Sequence, residues 1–296
     1  MKILIAGSHG MIGSAVTRHL IECSYEVSRL VRQAPGPGEV WWDPDDGKID
    51  VEGLEDFDGV VHLATMPWPM RWTAKAKQKI QANRVSTNRL LAESLAGCKH
   101  KPQVLICGSG MGYYPSSGDT ILTEDSPAGT SFLANLQQAG EAATAPASQA
   151  GIRVVHLRIP PVLGGAALQR IGFYGGDGQQ WMSWVGLDEL ASIIEFILRA
   201  ETLAGPVNPV SPNPMRGVDF AAAASQALGQ KSGGSMPAFL VRVTMGEMGE
   251  EFVLASRRMQ PARLLAAGYQ FRFPELDQAL RHEKEMIDVE LASQLA

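Results

Sequence analysis

Gly7, Gly10 and Gly13 recur at every third position directly after an apolar run, Lys2-Ile-Leu-Ile-Ala6. Ile12, Val16 and Leu20 then follow at helical spacing, so the stretch reads as strand, tight turn and helix. Glycine tolerates turn geometries that other residues resist, lets the main chain approach an anion, and allows a helix to pack closely. The free N–H groups and positive end of the helix face the same turn. Such an arrangement can hold a pyrophosphate, with Gly7, Ser8, His9, Gly10, Met11, Ile12 and Gly13 as the cradle. His9 would contribute its backbone rather than its imidazole. The spacing is G-x-x-G-x-x-G rather than G-x-G-x-x-G, and glycines also mark ordinary strand-to-helix turns. Its place at the head of the chain favours a dinucleotide. Arg32 ends the second apolar run, where folds selective for NAD place an acidic residue against the ribose hydroxyls. No Asp or Glu stands at that point, so a 2′-phosphate, and hence NADP(H), is the expected cofactor. A surface arginine at a strand end is the alternative.

Ser109, Tyr113 and Tyr114 follow the apolar run Val104 to Cys107 and offer chemistry of a second kind. A serine hydroxyl at a strand's carboxyl end can polarise a carbonyl, or it can satisfy a backbone group there. Each tyrosine carries a proton that could serve an oxyanion developing on a substrate, or it packs as an aromatic under a second lobe. His62, inside a buried run, reads as a hydrogen-bonded core residue. Trp68, Met70, Trp72, Trp181 and Trp184, with Met66 and Met182, fall on two loops that would border the site. Together they make an apolar substrate surface, with Trp68, Trp72 and Trp181 as contacts, although a single tryptophan defaults to core. Arg71 and Arg158 are the nearest charges for a polar substrate group. Cys23, Cys98 and Cys107 lack metal-ligand spacing, so neither a metal nor a disulfide is expected.

These residues need a scaffold of alternating strands and helices. Strands are expected at Tyr25 to Val31, Val40 to Trp42, Gly59 to Ala64, Val104 to Cys107, Arg153 to Ile159 and Val207 to Val210. Helices are expected around Ile80 to Leu95, Phe132 to Gln149 and Leu187 to Ala200. That alternation implies an α/β fold, a doubly wound parallel sheet with ligands at the strands' carboxyl ends. Residues 1–159 and 183–212 would form this cofactor domain. Residues 160–182 and 213–296 would form a smaller, mainly helical substrate domain, with helices at Val218 to Leu228, Pro237 to Ser256, Pro261 to Ala267 and from Glu275 onward. The glycine-rich stretch Gly164 to Gly178 is expected to be a mobile flap over the substrate. A chain of 296 residues with 45% hydrophobic content can bury a substantial core, and its net charge of −5 offers no basic field for nucleic acid or an anionic membrane. No apolar stretch is long enough to span a bilayer, and a strand beginning at Lys2 leaves no room for a secretory signal. A cytoplasmic protein with a small-molecule partner is the expectation, with homo-oligomerisation open.

Val-His-Leu-Ala at 61–64, Ser109 with Tyr113-Tyr114, Leu157-Arg158 and Val162-Leu-Gly164, taken with the glycine turn, resemble an extended short-chain dehydrogenase/reductase of the nucleotide-sugar epimerase type. More narrowly, Gly112-Tyr-Tyr, Leu122-Thr-Glu-Asp-Ser126, Gln180-Trp-Met-Ser-Trp184, Gly205-Pro-Val-Asn208, Pro212-Asn-Pro214, Gly246-Glu-Met248 and Arg263-Leu-Leu-Ala-Ala-Gly268 resemble the YfcH-like branch, also called the SulA-homologue family. The resemblance implies a Rossmann domain binding NADP(H), with Leu63 and Ala64 beside the cofactor, and a characteristic C-terminal domain. It places Ser109 at the catalytic Ser/Thr position. Active reductases of the superfamily pair it with a Tyr-x-x-x-Lys on the next helix, but counting back from Glu141 puts Leu133 and Gln137 there. Losing a positioned general acid costs about 10²–10⁴-fold in rate. The chain also departs from the branch at Pro115, where a glycine is usual, at Gly186, where a histidine is usual, and in a shorter loop before Gln180. The first reading is therefore an NADP(H)-dependent oxidoreductase acting on a small, partly apolar carbonyl or hydroxyl compound, with Ser109 and Tyr113 or Tyr114 as its catalytic groups. The second is a non-catalytic NADP(H)-binding regulatory protein, linked to cell division in some relatives. A nucleoside-diphosphate-sugar epimerase ranks third.

Overall fold

The computed structural model describes residues 1–66, 72–165, 168, 173–229 and 234–295, with side chains as far as Val289 in the last helix. Its centre is a sheet built from β1 (Lys2–Ala6), β2 (Glu26–Val31), β3 (Glu39–Asp43), β4 (Lys48–Ile49), β5 (Gly59–His62), β6 (Val104–Gly110), β7 (Arg153–Ile159) and β8 (Gly205–Val207). The strand order is β8-β7-β6-β5-β1-β2-β3-β4, parallel throughout except for the β3–β4 edge. The helices that cover it are α1 (Met11–Glu22), α2 (Ala74–Gly97), α3 (Phe132–Ala142) and α4 (Leu187–Arg199). Because β1 lies between β2 and β5, the winding reverses there, and ligands bind outside the strands' carboxyl ends at such a point.

Strand alternation explains why β1 is apolar throughout. Ile3 and Ile5 face one layer, with Val16 and Leu20 of α1 and Leu190 and Ile194 of α4. Leu4 and Ala6 face the other, with Leu91 and Leu95 of α2 and Leu105 of β6. A third core joins α5 (Gly217–Leu228) to α6 (Leu276–Leu295) through Trp184, Phe220, Ala224 and Leu280. No helix among the described residues is long and apolar enough to cross a membrane.

Several boundaries differ from the pattern expected of the sequence. The helix expected over Phe132 to Gln149 ends at Ala142, and a separate turn runs over Ala145–Gln149. Pro146 lacks the N–H that would continue the first helix. β6 runs on to Gly110, carrying Ser109 into the ladder opposite Arg158. The strand expected at Val207 to Val210 lies at Gly205–Val207, since Pro209 cannot donate to a ladder. The segment expected as one helix from Pro237 to Ser256 breaks at Gly246, whose φ of +58° ends the helix Ala238–Met245. The glycine-rich stretch Gly164 to Gly178 falls partly outside the described residues.

Glu283 on α6 ties the last core to the sheet. Its Oε1 accepts the Asp188 N–H at 2.9 Å in the first turn of α4, and Asp188 in turn meets Arg18 at 2.8 Å and His282 at 2.9 Å. Burial, helped by the Asp188 charge, pushes the Glu283 carboxyl up to about 7, with the Asp188 N–H pulling the other way. A carboxyl raised in the folded state stabilises at low pH, and that contribution is lost as pH rises through the folded value. Denaturant midpoints of wild type and Glu283→Gln should therefore diverge between pH 5 and pH 8, the wild type losing stability relative to the variant. A difference that stays constant across this range would contradict the assignment.

Candidate functional site

The glycine turn divides its work in a way that the spacing alone did not reveal. Gly7 has φ +84°, and a Cβ there would lie 2.7 Å from Ala64 N. A Cβ on Gly13 would lie 2.0 Å from Gly7 O. Both glycines are thus demanded by the protein's own backbone. Gly10 is different: its φ is −77°, and the nearest atom to an added Cβ, Gly7 O, is 3.4 Å away. Packing leaves it free, so its missing side chain serves only to keep the turn's open face clear. The first turn of α1 carries no acidic residue and no side-chain cap, which leaves its N–H groups and positive end available to an anion.

A cavity of about 510 Å³ opens beside this turn, lined by Gly7, His9, Gly10, Leu30, Arg32, Trp42 and Ala64 among others. A second, of about 300 Å³, shares Gly7, Gly10, Arg32, Trp42 and Ala64 and continues past Leu63, Thr65 and Met66 to Asn83 and Thr87. Thr87 Oγ1 is buried without a hydrogen-bond partner on this second wall. A long trough with a phosphate turn in the middle and an orphaned hydroxyl at one end fits a dinucleotide. Of the remaining cradle residues, Ser8 is buried and its carbonyl accepts the Ser14 hydroxyl at 3.1 Å. Met11 is exposed, and Ile12 packs on the first core.

Arg32 reaches the trough, but it is not free. Its Nη2 pairs with Asp45, from the turn between β3 and β4. The absence of an acidic neighbour holds only along the sequence; in space the hairpin supplies one, so a 2′-phosphate would have to share the guanidinium with Asp45.

The corner at the end of β6 differs more sharply from expectation. Ser109 Oγ lies 2.7 Å from Glu141 Oε1 and 3.3 Å from Gln137 Oε1, and its single proton goes to the carboxylate. Arg158 forks onto the same carboxylate, Nε to Oε1 and Nη2 to Oε2, both at 3.1 Å. Its Nη1 donates to Tyr114 Oη at 2.9 Å and to Glu124 O at 3.1 Å. Tyr114 donates onward to Asn208 Oδ1 at 2.8 Å, and Asn208 N donates to Glu124 Oε1 at 3.0 Å. Tyr114 has no exposed surface, and burial pushes its phenol up to about 12 against the pull of Arg158. Tyr114 is therefore sealed rather than poised as an acid. Arg158, 3% exposed, is committed to this network rather than open to a substrate. Tyr113 alone keeps its phenol outside the buried chain, its ring under the Arg158 guanidinium at 3.3 Å.

The apolar residues sort into three places. Trp72 meets Phe132 at 5.3 Å and Phe252 at 6.0 Å between ring centroids, joining the start of α3 to the C-terminal segment, and Met66 packs in the same cluster. Trp184 is buried core, its Nε1 donating to Asn213 O. Trp181 lies between the guanidiniums of Arg216 and Arg258, each 4.2 Å from its ring, and donates to Asp119 at 2.7 Å. Neither tryptophan joins Trp72 in a common wall, because residues 181–182 pair with 215–216 and face the C-terminal region. Trp68, Met70 and Arg71 lie outside the described residues. His62 is core, as expected: its Nε2 is 3.1 Å from Asn88 Oδ1, and burial with the Arg84 charge lowers it to about 4. Arg84 itself was overlooked, because an arginine on a long polar helix reads as solvated surface. It runs instead to Gly108 O and Thr65 Oγ1, each at 3.2 Å.

A doubly wound parallel sheet with a phosphate turn at its reversal point defines a dinucleotide-binding protein of the Rossmann type. Residues 3–208 match the NAD dependent epimerase/dehydratase family, and residues 236–283 match DUF1731, a domain of unknown function. The chain belongs to the NAD dependent epimerase/dehydratase family. The epimerase family protein Mb2239 of Mycobacterium bovis is 35% identical over 290 residues, 94% of this chain and 96% of that one. The epimerase family protein SDR39U1 of Mus musculus is 34% identical over 296 residues, 95% of this chain and 99% of that one. Human SDR39U1 (isoform 2), solved with NADPH, superposes with a TM-score of 0.87 at 30% identity, covering 96% of this chain and 99% of that one. A nucleoside-diphosphate sugar epimerase from Corynebacterium glutamicum reaches 0.80 at 32% identity, covering 96% of this chain and 58% of that one.

The two glycines are separable by experiment. Gly13→Ala should cost about 1–3 kcal/mol of stability through overpacking against Gly7 O. Gly10→Ala should cost about 1 kcal/mol or less as a changed helix cap, yet weaken NADPH binding by about tenfold or more through the lost approach. Thermal melts and NADPH titrations check both. Wild-type NADPH affinity in Gly10→Ala would contradict the division of roles.

Proposed function

We propose that the protein is an NADP(H)-binding member of its family in which the corner around Ser109 is structural, so that it holds the cofactor without the Ser/Tyr/Lys relay of an epimerase. The observation that carries this reading is the commitment of the Ser109 proton to Glu141, itself forked by the buried Arg158. Leu133 and Gln137 supply neither phenol nor ammonium on α3; Leu133 is buried against Gly112, and Gln137 lies beside Ser109. Gly7 to Gly13, Leu63 and Ala64 would hold the phosphates and ribose, with Arg32 toward the 2′-phosphate. The NADPH in the human SDR39U1 structure supports the choice of cofactor. Bound NADPH would supply a hydride.

A second reading, an oxidoreductase acting on a small, partly apolar carbonyl compound, is favoured by Tyr113, the one phenol of the pair outside the sealed network. In that case Tyr113 donates the proton and Ser109 does not.

Titrating NADPH and NADH into wild type and Arg32→Ala tests the cofactor assignment. A charge-assisted contact of roughly 1.5–3 kcal/mol gives the wild type about a ten- to hundredfold preference for NADPH, largely lost in the variant. Equal affinities in the wild type would contradict it. NADPH oxidation against aldehydes, ketones and quinones tests the corner. The expected result is no turnover, or slow turnover that Tyr113→Phe lowers and Ser109→Ala leaves unchanged. A loss of about a hundredfold or more in Ser109→Ala would restore Ser109 as a catalytic group.

A further inference from the structure

Arg32 lines both halves of the trough, and so does Trp42 of β3. The parallel register that sets Val31 opposite Trp41 carries these two residues to the same rim. The turn Asp43-Pro-Asp-Asp-Gly47 follows directly, and its Pro44 lines the smaller half. Asp43 fixes this turn, since its Oδ1 accepts the N–H groups of Asp45 at 3.1 Å and Asp46 at 3.3 Å. The other two carboxylates of the turn divide: Asp46 goes to Lys48 at 3.1 Å, and Asp45 goes to Arg32. A wall of the cofactor trough thus delivers an anion to the cation that faces the cofactor.

A 2′-phosphate and the Asp45 carboxylate seek the same N–H donors, because a guanidinium presents them as one fork that matches either anion. A phosphate reaching Arg32 must displace Asp45 or share the guanidinium beside a like charge, and both reduce what the contact contributes. NADH carries a hydroxyl at that position, so this cost falls on NADPH. We propose that Asp45 is a specificity-determining residue, a built-in counter-ion of Arg32 that NADPH displaces and NADH does not. It holds the preference for NADPH below what Arg32 alone would give. Exposure sets the size of the effect. The Arg32 and Asp45 side chains are 59% and 60% exposed, and ion pairs that face water are weak and screened. Competition therefore trims the preference without reversing it. The inference rests on NADP(H) occupying the trough, and it names what tunes the choice of nucleotide there.

The test titrates NADPH and NADH separately, at low salt where surface charges are least screened. The proteins are the full chain as wild type, Asp45→Asn, Arg32→Ala and the double variant. Asp45→Asn should bind NADPH about two- to fivefold more tightly than wild type, with NADH affinity changed by less than about twofold. In the Arg32→Ala background the same substitution should change NADPH affinity by less than about twofold, because no guanidinium is left to release. A smaller NADPH gain in Asp45→Asn, a matching gain for NADH, or an equal NADPH gain in both backgrounds would overturn the proposal. So would a loss of NADH affinity with NADPH unchanged, which marks Asp45 as a ribose ligand. The cofactor reading fails separately. A wild type without preference that acquires one in Asp45→Asn contradicts the expected NADPH selectivity and supports the role of Asp45. A wild-type preference that Asp45→Asn leaves as it was keeps the cofactor reading and removes the role of Asp45. Failure of both proteins to bind either nucleotide overturns the two together.

Discussion

The ion pair between Glu141 and Arg158 is the constraint on which the rest of the site depends. Arg158 is a guanidinium with 3% exposure, held by two bonds to one carboxylate. Breaking such a pair leaves an uncompensated buried charge, at a cost of about 3–5 kcal/mol. Everything that touches it is therefore fixed. Ser109 sits opposite Arg158 in the β6–β7 ladder and gives its proton to the same carboxylate. Tyr114 accepts from the guanidinium and passes its own proton to Asn208, just past β8. Glu124 binds the Asn208 and Arg263 N–H groups, at 3.0 and 3.3 Å, and so draws the C-terminal region onto the same point. The corner at the end of β6 is thus part of what joins the sheet to the C-terminal segment.

The site therefore has two halves with opposite properties. On the side of β1 the trough is open: a glycine whose side chain is absent for no internal reason, an uncapped helix end, and a buried Thr87 hydroxyl with no partner. On the side of β7 most of the polar groups bond to one another, Glu124 Oε2 being left without a partner, and such a buried network is rigid in a low-dielectric interior. Trp72, Phe132 and Phe252 close the outer side, bringing the C-terminal segment against the entrance that Lys77 and Glu247 also bridge.

Much of the scaffold was legible because its signals are local. The continuous burial of β1, the three glycines and the strand Arg153–Ile159 all follow from patterns a few residues long. What escaped is what depends on distant partners. Nothing near Arg32 announces Asp45, which the β3–β4 turn brings to it. Tyr113 and Tyr114 are adjacent and alike in sequence, yet Tyr113 closes the short turn Met111–Tyr113 while Tyr114, just past it, is sealed against Arg158 and Asn208. Trp181, Trp184 and Trp72 look equivalent until the pairing of 181–182 with 215–216 sends them to separate surroundings. Arg84 was hidden by its polar helix, and only the room left by Gly140 shows that its place is built.

The most direct test of this account is a crystal structure of the protein soaked with NADPH, read at the Ser109 side chain. The account predicts cofactor in the trough, its pyrophosphate against Gly10, with Ser109 Oγ still on Glu141 and the Glu141–Arg158 fork intact. A Ser109 hydroxyl turned toward the nicotinamide with the Glu141–Arg158 pair opened would contradict it.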